Sequence, residues 1–142
     1  MKAYRYYETD FQSGYVDTPQ GDHLPSLSPE KQRAEMVIRE GDKRGRSRAH
    51  AIFVFEKVAV ARDLLDKTAG KHLYEMNVDE GDILHRADLR IYDEIVEALK
   101  RNEKVDLLVR EFWQGIERPS PRIELAVTRA VVVRKLVDDD EK

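Results

Sequence analysis

Between Arg46 and Glu56 the sequence changes character within a few residues. Arg46-Ser47-Arg48 sets two guanidinium groups around a hydroxyl, and Ala51-Ile52-Phe53-Val54-Phe55 follows as an unbroken apolar run. A short apolar run, rich in β-branched and aromatic side chains and bounded by polar residues, predicts a buried strand from Ala51 to Phe55. A buried strand needs neighbours on both edges, so the rest of the chain has to supply a sheet around it. The lip at its start extends back through Asp42-Lys43-Arg44-Gly45, and four of the seven residues from Asp42 to Arg48 are basic. That loop is either a solvated turn or an anion-holding mouth on the buried strand. A helical stretch from Val58 to Leu65, carrying Arg62, is expected next.

The other elements follow from local signals. Lys2 to Glu8 alternates around three tyrosines and reads as a first strand. Arg5 in its middle is either a solvated arginine on an edge strand or an arginine turned into a cleft to hold an anion. Thr9 to Pro25 reads as a long loop, either a lid or binding segment or plain surface. Ser28-Pro29-Glu30 has the N-cap hydroxyl, N1 proline and first-turn acid of a helix start. That helix should run to about Arg39, with Ala34, Val37 and Ile38 inward and Gly41 as its stop. Lys71 to Val78 alternates as a strand. Asp79 to Asp82 turns, Ile83-Leu84 is a short strand, and His85 to Asp88 leads into a helix capped by Asp88. Its stripe is Leu89, Tyr92, Ile95, Val96 and Leu99. A second helix from Val105 to Trp113 ends at Gly115, with Phe112 and Trp113 as core anchors. After the rigid Arg118-Pro119-Ser120-Pro121 step come strands from Arg122 to Thr128 and from Ala130 to Val137.

Helices interspersed with strands, and an adjacent final strand pair, predict an α+β fold whose sheets are mostly antiparallel or mixed. One domain is expected over residues 1–137, followed by an acidic, disordered tail at 138–142. With 142 residues and no cysteine, disulfides and thiolate metal sites are excluded. A net charge of only −3 gives no whole-molecule attraction to polyanions, though a local basic patch could still act. The N-terminus lacks an apolar h-region and no apolar run is of membrane length, so a cytoplasmic protein without membrane contact is expected. None of the four histidines has i, i+4 spacing to another, and HExxH, GxSxG, P-loop and GxGxxG motifs are absent, so no metal is expected.

What remains is an order of polar residues: Arg5 in strand one, Ser47 with Arg46 and Arg48 before the buried strand, and Glu124 inside Ile123-Glu124-Leu125-Ala126-Val127. A charge in that last segment faces solvent, pairs with a cation or lines a cleft. This order resembles the ADP-ribosyltransferase-like superfamily. The likeness is carried by Tyr4-Arg5-Tyr6, by Ser47 to Phe55 and the helix after it, by His72-Leu73-Tyr74-Glu75-Met76-Asn77-Val78, and by Ile123-Glu124-Leu125. It implies two small sheets forming a cleft, flanked by helices, with NAD lying across the cleft. It further implies that Arg5 grips the diphosphate or the nicotinamide-side ribose, that Ser47 touches that ribose, and that Arg48 helps with phosphate. Glu124 would be catalytic, bonding the ribose 2′-hydroxyl and stabilising the oxocarbenium-like centre as nicotinamide leaves. Two departures stand out. Arg122 occupies the position, two before the glutamate, where arginine-modifying members carry a second acid, and Ser47-Arg48-Ala49 lacks a second hydroxyl. Both argue against arginine modification and leave a nucleic acid end, another protein group, a small molecule or water as acceptor. The alternative is a non-enzymatic binding module that uses the lip from Lys43 to Arg48 to hold a phosphate-bearing or acidic partner.

Overall fold

The computed structural model describes residues 1–45, 48–64 and 71–137. Arg46, Ser47, the far end of the helix expected to reach Leu65, and the acidic tail at 138–142 lie outside the described residues.

Among the described residues, seven strands, every neighbouring pair antiparallel, form one sheet. They are β1 (Lys2–Tyr7), β2 (Val16–Asp17), β3 (Ile52–Phe55), β4 (His72–Asn77), β5 (Ile83–Asp88), β6 (Ile123–Val127) and β7 (Ala130–Lys135). The helices are α1 (Pro29–Glu40), α2 (Val58–Arg62), α3 (Leu89–Lys100) and α4 (Asp106–Gln114). Strand order is β2-β7-β4-β1-β3-β6-β5. The fold is therefore α+β, but with one open sheet where two small ones were expected. The physical reason lies at the centre. β1 pairs with β4 along its whole length, from Lys2↔Asn77 to Tyr7↔His72. Across to β3, Tyr4↔Phe55 is the one registered pair. A four-strand wing and a three-strand wing are thus tied by a single bridge, which suffices to make them one sheet.

This arrangement answers the open question about Arg5: β1 is interior, with β4 on one side and β3 on the other. It also lengthens the strand expected at Ile83-Leu84. His85 to Asp88 continue β5 against β6, as far as Asp88↔Ile123, and do not begin a helix. Their alternation puts His85 and Ala87 on one side and Arg86 on the other, and helical spacing starts only at Leu89. The loop expected at residues 9–25 contains β2, paired to β7 through Val16↔Val131, and a 3-10 turn at Leu24–Ser26.

Alternation across the register gives the sheet two different faces. Tyr4, Phe55, Glu124 and Ala87 are register partners in one row, and Ala87 packs into the cluster formed by α1, α3 and α4. That row faces the helices. The opposite face holds Ala3, Val54, Met76, Leu125 and Val132, clustered with other strand residues and with Phe11 from the loop after β1; among the described residues no helix contributes. Phe11 and Tyr7 pack against that side.

The helices sit where their stripes require. α1 begins on Ser28, whose side chain accepts a hydrogen bond from Lys31 N at 3.4 Å. It buries Ala34 and Ile38 fully. At its end Gly41 approaches α4 so closely that a Cβ there would collide with Val109 Cγ1, and Trp113 Nε1 donates to Ile38 O at 2.8 Å. Phe112 and Trp113 are core residues, as expected. Asp88 does more than cap α3. It accepts from Arg90 N at 2.9 Å, from Arg118 N at 2.8 Å and from Arg122 N at 3.0 Å. One buried carboxylate so fixes both the start of α3 and the approach of the chain to β6. Among the described residues no helix is long and apolar enough to cross a membrane.

Candidate functional site

A cavity of about 330 Å³ opens between the helix-facing side of β3 and β6 and the helices α1 and α3, with His23, Glu35, Arg48, Phe53, Tyr92 and Glu124 on its walls. Each arrives from a different element. His23 precedes the 3-10 turn, whose geometry is fixed when Asp22 Oδ1 accepts from Leu24 N (2.9 Å) and Ser26 N donates to His23 O (3.0 Å). Glu35 projects from the inward side of α1. Arg48 starts the 3-10 turn Arg48–His50 that delivers the chain into β3. Tyr92 lies on the buried stripe of α3, and Glu124 on β6 opposite Phe55.

Glu35 is fully buried and would be untenable alone, since a buried charge needs partners. It has several. Arg48 reaches it with a two-pronged fork, Nε to Oε2 at 2.7 Å and Nη2 to Oε1 at 2.9 Å. Arg39, one helical turn on, donates to Oε2 at 3.1 Å and is itself clamped by both oxygens of Asp22. Tyr92 Oη lies 3.4 Å and His23 Nε2 3.5 Å from Oε1. Burial pushes the Glu35 carboxyl upward, but hydrogen bonds from His23 and Arg48 outweigh it and hold the group well below the ordinary carboxylate range. Burial, aided by the Glu35 charge, pushes the Tyr92 phenol up. The Arg48 guanidinium also lies over aromatic rings, 4.6 Å from the Phe53 centroid and 5.3 Å from that of Phe112.

Glu124 is the opposite case. Among the described residues its carboxyl has no hydrogen-bond partner and no ion pair. It is half-buried at the cavity wall, yet its surroundings are crowded enough that desolvation dominates and pushes its pKa up. Arg48, Arg5 and His23 pull it down, and Glu35 pushes it up further, without reversing the direction. Two carboxyl groups thus share one cavity with their pKa values pushed in opposite directions, Glu35 down and Glu124 up, a division typical of acid–base and electrostatic sites.

A carboxyl raised in the folded state favours folding most below the unfolded-state range and loses that contribution as pH rises through its folded value. Glu124→Gln removes the cost of ionising a buried group. The variant should therefore melt higher than wild type at about pH 8, and the gap should close toward about pH 4. Parallel melting curves across that range check it.

Of the residues singled out in the sequence, Arg48 and Glu124 meet in this cavity. Ser47 lies outside the described residues. Arg5 does not line the cavity. Its Nη1 donates to Phe53 O at 2.6 Å, where the β1–β3 ladder has opened. Its Nε lies 3.9 Å from Asp17 Oδ2, and its guanidinium sits over the Tyr7 ring; the Tyr7 hydroxyl in turn donates to Asp17. Arg5 reaches the site through the backbone of Phe53 and through its charge. The lip is divided too. Arg48 turns inward to Glu35, while Lys43 and Arg44 are exposed along a separate groove with Arg110. Sequence reasoning missed Glu35, Tyr92 and His23. Glu35 carried a signal, because it stands beside Ala34 and one turn before Arg39 on the inward side of α1. Tyr92 was legible only as core, and His23 in its loop carried none. No protein-family model matches the chain, and no curated protein matches it.

Proposed function

We propose that this cavity takes NAD as substrate and breaks its N-glycosidic bond, in the manner of an ADP-ribosyltransferase-like protein that transfers or hydrolyses ADP-ribose. The observation that carries the reading is the Glu124 carboxyl: unpaired, desolvated and set in a wall of Phe53, Phe55 and Tyr92. A carboxyl kept without a protein partner is preorganised for a charge that the ligand brings or develops. Nicotinamidium brings one, and the ribosyl cation left as nicotinamide departs develops another. Either pulls Glu124 toward its ionised form. The aromatic walls suit a flat heterocycle, while Lys31 and Arg122, also on the cavity wall, offer cations for the diphosphate. Arg48 contributes here as the buried partner of Glu35, and Arg5 as the support of Phe53. The order of Arg5, the buried strand and Glu124 along the chain is in keeping with that superfamily.

The reading of a binding module resting on residues 43–48 loses Arg48, whose fork is engaged inside. Among the described residues, what remains to it is the groove of Lys43, Arg44 and Arg110. A thermal-shift series separates the two readings. Saturating NAD should raise the melting temperature, by an amount that corresponds to roughly 2.7 kcal/mol at a hundredfold excess over Kd. The rise should survive neutralisation of Lys43 and Arg44. A shift that polyanions produce and NAD does not would sink the enzymatic reading.

A further inference from the structure

We infer that His23 is the general base that activates the acceptor oxygen at this site, with Glu35 holding its imidazole in the required tautomer. The inference rests on the glycosidic reading above and adds the half of the reaction that Glu124 cannot perform. Three observations carry it. His23 Nε2 lies 3.5 Å from Glu35 Oε1. Its Nδ1 is buried and has no hydrogen-bond partner; the nearest carboxylate oxygen, Asp22 Oδ1, is 3.9 Å away, beyond hydrogen-bond reach. The ring packs edge-on against Phe53 at 4.6 Å, in the same cavity as Glu124.

The tautomer follows from these distances. Glu35 is acceptor-only as an anion, so the imidazole nitrogen beside it carries the hydrogen. The lone pair then sits on Nδ1, buried and short of one donor. A buried acceptor without a donor is costly unless something supplies the missing hydrogen, and an acceptor hydroxyl or a water would do so. Glu35 does not take the proton itself, because the Arg48 fork and Arg39 hold it as an anion. It plays the part of the orienting carboxylate in a base–carboxylate pair.

The bond from the anomeric carbon to the nicotinamide nitrogen breaks and its electron pair leaves with nicotinamide. The acceptor oxygen forms a new bond to that carbon, and its proton passes to His23 Nδ1, while the Nε2 hydrogen stays toward Glu35. Glu124 faces the developing cation, and His23 faces the incoming oxygen.

Long-range nitrogen–proton correlation spectra of the full chain test the tautomer directly. The expected pattern is a pyrrole-type Nε2 and a pyridine-type Nδ1 at His23; the reverse pattern overturns the inference. Kinetics with NAD and methanol as competing acceptor test the role. His23→Gln should still bind NAD, with transfer slowed by ~10²–10⁴-fold, and added imidazole should restore part of the rate to His23→Gly. A His23→Gln protein that transfers at the wild-type rate overturns the inference and leaves the glycosidic reading standing. Absence of nicotinamide release from the wild type overturns that reading and the role with it, whereas the tautomer still reports on the His23–Glu35 pair by itself.

Discussion

Arg48→Met should be the most damaging single substitution in the cavity, costing about 3–5 kcal/mol and lowering the melting temperature by roughly 10–20 °C. Methionine roughly fills the space of the arginine stem, so lost volume is not the cause. The cause is Glu35, fully buried and deprived of the fork that made it tolerable, with Arg39, Tyr92 and the His23 contact at 3.5 Å left. Glu35→Gln should be damaging for the mirror reason, because Arg48 is itself buried. The pair Glu35→Met with Arg48→Met should recover most of the loss, since buried ion pairs are often replaceable by apolar residues of similar volume. The pH dependence discriminates further. Glu35 is depressed in the folded state, so its contribution is present above the ordinary carboxylate range and is lost as pH falls through its folded value. The double variant should lack that part of the acid sensitivity. Chemical denaturation of the four proteins at two pH values measures all of this. A double variant no more stable than Arg48→Met would show that the pair is not what sets the cost.

Glu124→Gln should reduce the rate of nicotinamide release by about 10²–10³-fold, with NAD affinity changed little and the fold intact. The amide occupies the same volume and can still accept a hydrogen bond from a ribose hydroxyl, but it cannot neutralise a cation. The loss should therefore fall on kcat more than on KM. Glu124→Asp withdraws the carboxylate by one methylene and should fall between the two. Together with the higher melting temperature expected of Glu124→Gln above neutrality, this is a stability–activity trade-off at a single residue. A variant that lost both turnover and stability would instead mark Glu124 as structural.

The elements legible in the sequence were those with strong periodicity or caps. Ser28-Pro29 fixed the start of α1, Asp88 capped α3, alternation identified β1 and β4, and apolar segments marked β6 and β7. The single sheet was not legible, because whether two wings join depends on one non-local pair, Tyr4↔Phe55, which leaves no trace in local pattern. β2 escaped because two residues are too few for alternation to register. At the site, Glu124 stood out as a charge inside an apolar strand. Glu35 stood among apolar neighbours on a helix rich in charge, where an acid attracts little notice. Arg48 looked like part of a surface lip because sequence shows neighbours along the chain, and its partner is thirteen residues away across the fold. Arg5 was right to attract attention as a charge in a strand, but its fork turns to Phe53 O and Asp17, a destination set by the open β1–β3 ladder.

A crystal structure of the Glu124→Gln variant soaked with NAD addresses the central claim most directly, because this variant should bind without turning over. The expected result is nicotinamide seated among Phe53, Phe55 and Tyr92, the anomeric carbon facing the side chain at position 124, and the diphosphate toward Lys31 and Arg122. An empty cavity, or nucleotide lodged instead along Lys43, Arg44 and Arg110, would contradict it.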